Sequence, residues 1–92
     1  MENTEILIVL KKDLDNCKGF MADETNCVLA MAMKRQFETE QVGEFGGWCT
    51  IKGIEYEHTP FYGYRKLKEE FCYSNDPDEV ILTLELTTDY EF

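Results

Sequence analysis

Trp48-Cys49-Thr50-Ile51-Lys52-Gly53-Ile54-Glu55-Tyr56-Glu57-His58 is the stretch that decides the fold. Lys52-Gly53 reads as a two-residue turn between two runs of strand character. With that turn, Ile51 faces Ile54 and Cys49 faces Tyr56, which gives one apolar face. Trp48, Thr50, Glu55 and Glu57 fall on the other. A slip of one residue would send the apolar set to solvent, so the pattern fixes its own register.

Outward from the hairpin the remaining elements follow. Gln41-Val42-Gly43-Glu44-Phe45 reads as a short strand broken by Gly46-Gly47. Before it, Cys27-Val28-Leu29-Ala30-Met31-Ala32-Met33 is rich in helix formers and continues through Lys34-Arg35-Gln36 to Phe37, with Asp23 or Thr25 as a cap. A helix apolar nearly all round belongs at the centre of a fold. Lys11 to Ala22 is polar and reads as a loop. Ile6-Leu7-Ile8-Val9-Leu10 is an apolar run of strand length, as in a strand covered on both faces. On the other side, Thr59-Pro60 starts a helix in which Phe61, Tyr64, Leu67, Lys68 and Phe71 keep helical spacing. Ser74-Asn75-Asp76-Pro77-Asp78 is a turn. Val80 to Thr87 alternates, with Val80, Leu82, Leu84 and Leu86 inward. Asp89 to Phe92 reads as a frayed acidic tail. The predicted architecture is a single α+β domain over residues 1–92. It has a small antiparallel or mixed sheet in β-α-β-β(-β)-α-β order with two helices on one face, and a split βαβ topology is the first to test.

Composition narrows the function. The chain has 92 residues, 19 acidic against 9 basic, and a formal net charge of −10. Phosphate neutralisation needs clustered Lys and Arg, so direct binding to nucleic acid is disfavoured, and anionic membranes with it. No basic segment followed by a long apolar run occurs at the start, and none is long enough to span a bilayer. The expected location is cytoplasmic. Cys17, Cys27, Cys49 and Cys72 form no CxxC pair, and there is one histidine. The cysteines read as reduced thiols, and a metal site would have to be assembled from scattered single residues. No cofactor or metal is expected.

The charge is uneven. Residues 1–35 carry a net −1, residues 36–64 carry −4, residues 65–68 carry +3 and residues 69–92 carry −8. If the last strand lies beside the hairpin, Glu55, Glu57 and Glu85 share a solvent face with Asp76, Asp78, Glu79, Asp89 and Glu91. Carboxylates spaced on a rigid sheet resemble a row of phosphates to a Lys/Arg-rich groove. The plainer alternative is a solvated acidic surface that aids solubility. Arg65, Lys66 and Lys68 would spoil the mimicry if they faced the same way.

Catalytic signatures are weak. Cys49 and His58 lie on facing strands, but a nucleophile pair also needs an orienting group and an oxyanion hole, and neither has a sequence signature. Glycines 43, 46, 47 and 53 match no phosphate-loop spacing. Asp76-Pro77-Asp78-Glu79 lacks the periodicity of a calcium loop. Trp48 on the polar face of the hairpin, with Tyr62, Tyr73 and Tyr90 off the apolar stripes, has the composition of a protein-recognition surface.

Asn26-Cys27-Val28-Leu29-Ala30-Met31-Ala32-Met33-Lys34-Arg35, then Val42-Gly43, then Thr50-Ile51-Lys52-Gly53-Ile54-Glu55-Tyr56 resemble a group of small phage-encoded proteins. In that group an N-C-x-x-A-x-A-x-K-R-like helix is combined with a V-G…I-x-G-x-x-Y hairpin, an aromatic-rich helix and a closing strand. The resemblance covers roughly residues 25 to 87. It implies phage or prophage origin, and small acidic phage proteins of this size include anti-CRISPR and anti-restriction inhibitors that act by stoichiometric binding. The matching positions are core and turn residues, so no site residues carry over.

The expected function is therefore a non-enzymatic phage inhibitor of a host nucleic-acid-targeting complex. Its partner would be a protein with a basic nucleic-acid groove, a CRISPR–Cas effector or a restriction enzyme. Glu44, Glu55, Glu57, Asp76, Asp78, Glu79 and Glu85 are the expected charge contacts and Trp48 the apolar anchor. The alternative is a phage structural or adaptor protein acting through homodimerisation or an open strand edge.

Overall fold

Ile51 pairs with Ile54 and Cys49 with Tyr56 across the Lys52-Gly53 turn, in the expected register. Lys52 and Gly53 both take positive φ, 53° and 83°, as a two-residue turn with the twist of its strands requires. The computed structural model describes residues 3–17, 23–59, 69 and 73–89. Along the chain these form β1 (Asn3–Leu10), α1 (Lys11–Asn16), α2 (Val28–Phe37), β2 (Val42–Glu44), β3 (Trp48–Ile51), β4 (Ile54–Thr59) and β5 (Val80–Thr88). The strands make one five-stranded antiparallel sheet in the order β1-β5-β4-β3-β2, curled into a half-barrel. The α+β class holds, and the sheet is antiparallel rather than mixed. Thr59, expected to cap a second helix, instead ends β4, and Glu69 is helical; the rest of the predicted helix from Pro60 to Phe71, with Arg65, Lys66 and Lys68, lies outside the described residues.

The core fills the inner face of this curl. Val28, Leu29, Ala30, Ala32 and Met33 of α2 are buried against Leu7 and Val9 of β1, Cys49 and Ile51 of β3, Tyr56 of β4 and Leu82, Leu84 and Leu86 of β5. The helix is central, as its apolar composition predicts. Its start differs: Cys27 is the N-cap residue and no side chain caps it. Asp23 instead organises the preceding turn, its carboxylate accepting from Thr25 N–H and Oγ and from Asn26 Nδ2. Those hydrogen bonds, the one from Asn26 foremost, hold its pKa down to about 2.

Three further expectations are corrected. Lys11 to Asn16 is a helix, not a loop, because its first amides are satisfied from elsewhere: Lys11 N–H donates to Glu79 O and Lys12 N–H to Pro77 O. β1 is not covered on both faces. Leu7 and Val9 are fully buried, but Ile6 and Ile8, on the outer side, remain 44% and 41% exposed. Val80 does not point inward. The ladder pairs Val9 with Leu82 and Leu10 with Val80, so Ile81 is an extra residue in a bulge and takes the buried position.

Candidate functional site

Two places on the sheet concentrate polar chemistry, one on each face. On the outer face the ladder sets Trp48 beside Glu57, Glu57 beside Thr87 and Thr87 beside Thr4. The neighbouring rows bring Glu55 beside Thr50, and Ile6 beside Glu85 beside Thr59. Glu85 is thus diagonal to Glu57, a separation of about 7–8 Å between backbones. Continuing the alternation beyond β5 sets Asp89 on the other diagonal, and it lines a groove of ≈ 800 Å³ together with Trp48, Glu55, Glu57 and Thr87. Glu55, Glu57, Glu85 and Asp89 are all exposed. Among the described residues, the outward positions of the five strands hold no Lys or Arg.

An aromatic pair stands at one end of this acidic patch. Phe45 stacks on Trp48 with ring centroids 4.4 Å apart, and both remain about two-fifths exposed. The Phe45 ring also lies over Gly43, where a Cβ would come within 2.9 Å of it. A side chain at 43 would therefore have to push the Phe45 ring aside. Trp48 gains a partial cover from Phe45, a partner that the alternation of the strands does not reveal because Phe45 lies beyond the end of β2.

The other acidic residues lie elsewhere. Asp76, Asp78 and Glu79 precede β5, while Glu57 pairs near its far end, about 26 Å away at 3.3 Å per residue. Asp78 meets Lys12 Nζ at 3.3 Å, Glu79 accepts from Ser74 Oγ, and the Asp76 carboxylate accepts from Asp78 N–H. Charge pairing and turn geometry occupy these three, so the predicted acidic row divides at β5. Glu44 leaves the surface set altogether. Val42 and Glu44 share the parity of Ile51 and Cys49, and Glu44 is buried on the inner face. That inward position was legible: once Val42 is read as core, period two sends Glu44 the same way. Tyr73 is strongly exposed, whereas Tyr62 and Tyr90 lie outside the described residues.

On the inner face Glu44, Cys49 and His58 form a buried polar cluster. Glu44 is opposite Cys49 in the ladder, and His58 lies diagonal to Cys49, two residues beyond its partner Tyr56. His58 Nε2 is 3.1 Å from Glu44 Oε2, with both side chains almost wholly buried. The two atoms are not aligned as a hydrogen bond despite that distance. The other carboxylate oxygen, Oε1, accepts from Gly46 N–H at 2.9 Å, which orients the group. Burial, and then the charge of Glu44, push the Cys49 thiol up to about 12. The same two causes raise Cys27. A thiol so held is protonated near neutral pH and is not an activated nucleophile. Cys49 and His58, which their facing strands allow to approach, do come together, with Glu44 as a third member.

Comparison with protein-family models, with curated proteins and with solved structures finds no match to this chain. Among the described residues, no helix is long and apolar enough to cross a membrane.

Proposed function

We propose that this chain is a non-catalytic binding protein that docks its outer sheet face onto a basic surface of a partner protein. Four exposed carboxylates, Glu55, Glu57, Glu85 and Asp89, lie on that face beside the Phe45–Trp48 stack, with no described cation among them; this observation carries the reading. Acids spaced on a rigid sheet complement a lysine- and arginine-lined groove and steer encounter with it. The stacked aromatics supply desolvated contact area at low cost in side-chain entropy. The resemblance to small phage proteins directs the proposal further, to a phage-encoded inhibitor that occupies the nucleic-acid groove of a host CRISPR–Cas effector or restriction enzyme.

The alternative, an adaptor working through its strand edges or as a homodimer, has less support. Gln36, Arg35 and Asp13 satisfy the outer edge of β1 from Ile6 to Leu10. On β2, Val42 N–H donates to Glu40 O and Glu44 N–H to Glu24 O. Strand addition would first have to displace these groups. Self-association through the outer face would set the carboxylates of two copies against each other.

The test is competition for DNA. Purified CRISPR–Cas effectors and restriction enzymes are mixed with their target duplex in the presence of the chain, and bound DNA is read by gel shift. The expected result is stoichiometric loss of DNA binding for one enzyme class, reversed at least about tenfold in the Glu55→Gln/Glu57→Gln/Glu85→Gln variant, as removal of several close charge pairs implies. Undiminished inhibition by that variant, or a tight dimer of the free chain by light scattering, overturns the reading.

A further inference from the structure

We infer that Glu44, Cys49 and His58 form a three-ligand site for a zinc-class divalent transition metal, stapling strands β2, β3 and β4 together. The inference is independent of the proposed docking function, since it concerns the opposite face of the sheet. It also departs from the expectation, drawn from cysteine spacing, that no metal would be bound.

Four observations carry it. The first is donor type: a carboxylate oxygen, an imidazole nitrogen and a thiol sulfur are the three classes of ligand zinc takes. The second is proximity. One ligand atom from each residue lies within 4.8 Å of the others, and bonds of about 2.0–2.3 Å at tetrahedral angles set donors roughly 3.3–3.6 Å apart. Small side-chain adjustments therefore suffice. The third is enclosure: His58 Nε2 and Glu44 Oε2 lie 3.1 Å apart with both side chains almost wholly buried, so these donors are held together away from water. The fourth is the support behind the carboxylate, where Gly46 N–H holds Oε1 at 2.9 Å and orients the group. Outer hydrogen bonds of this kind orient metal ligands.

The charges also balance. A divalent cation with one carboxylate, one thiolate and a neutral imidazole is a neutral centre, which an apolar core accommodates far better than an isolated ion. Binding releases the Cys49 proton to solvent, and the thiolate that remains bonds to the metal. The structural consequence falls on β2, which has only three residues. Phe45 follows Glu44 and Trp48 precedes Cys49, so a metal bridging those two residues would fix the backbone on both sides of the exposed stack.

The experiment is titration of the reduced, chelator-treated full chain with Co²⁺ and with Zn²⁺. Tetrahedral Co²⁺ bound through a thiolate has an intense near-ultraviolet charge-transfer band and visible ligand-field bands. We expect both bands to saturate at one equivalent, to be displaced by Zn²⁺, and the thermal midpoint to rise on Zn²⁺ addition. Cys49→Ser removes the charge-transfer band. Glu44→Gln and His58→Gln weaken Co²⁺ binding by at least about tenfold, the lower bound seen even for outer-shell changes. Cys17→Ser, altered outside the cluster, keeps the spectrum and serves as the folding control. Absence of the charge-transfer band in the wild-type chain, or Co²⁺ binding unaffected by Cys49→Ser, overturns the site.

Discussion

Three donors converge on the buried Asp13 carboxylate: Leu10 N–H at 2.8 Å, and the Nε and Nη2 groups of Arg35 at 2.9 Å and 3.0 Å. The guanidinium grips both oxygens and donates from Nη2 also to Ile8 O at 2.6 Å. One arginine thus joins α2 to α1 and to β1. Truncating it strands a buried carboxylate, which typically costs 3–5 kcal/mol. The Arg35 side chain is itself about a third exposed, so Arg35→Ala is expected near the lower end, at about 3 kcal/mol by urea denaturation. Arg35→Lys keeps the charge but loses the two-pronged grip, and its loss should be smaller. Asp13 could not have been assigned this role from sequence, because its partner lies 22 residues away on another helix. Gly53 is the opposite case: position 53 of a two-residue turn needs positive φ, and the sequence states it outright.

The edge strand β1 illustrates the same division for elements. Its existence follows from five apolar residues in a row. Its position at the edge does not, and neither does the device that closes that edge. Gln36 of α2 lies along it like a short piece of strand, accepting from Ile8 N–H at 2.9 Å and donating to Ile6 O at 2.6 Å. An amide side chain can do this because it carries the same donor and acceptor as a peptide group. Gln36→Ala should cost about 1–2 kcal/mol for two hydrogen bonds. It should also free an edge whose outer face carries Ile6 and Ile8. The measurable consequence is concentration-dependent self-association by light scattering, where the wild-type chain shows less. A Gln36→Ala chain that stays as monodisperse as wild type would mean that the edge is protected by other means. α1 was illegible for a related reason. Six residues with Leu14 as their one long apolar side chain carry too little periodicity to announce a helix. Contacts with the Pro77–Glu79 segment and with Arg35 make it one.

At the scale of the whole molecule, the net charge of −10 divides into separate surfaces. The β4–β5 pairing gathers Glu55, Glu57, Glu85 and Asp89 on the outer face, while Asp76, Asp78 and Glu79 stay at the start of β5 beside Lys12. A partner steered by that outer face should associate more slowly as salt rises. Between low ionic strength and about 1 M, where the Debye length is about 3 Å, the on-rate should fall about tenfold or more in stopped-flow measurements. A salt-independent rate would assign recognition to the Phe45–Trp48 stack alone and remove charge mimicry from the mechanism.

Sequence by itself determined the hairpin register, the central helix, the α+β class and the two-sided character of β3 and β4. Each of these is encoded locally, in a period of two or 3.6 residues and in the φ demanded by a turn. Tertiary structure alone decided which carboxylates stand together, which one is buried, and what Cys49 and His58 face. Those outcomes depend on which strands become neighbours. The β2–β3 ladder carries Glu44 to Cys49, and the β4–β5 ladder carries Glu57 to Glu85, over separations in sequence that no local pattern spans.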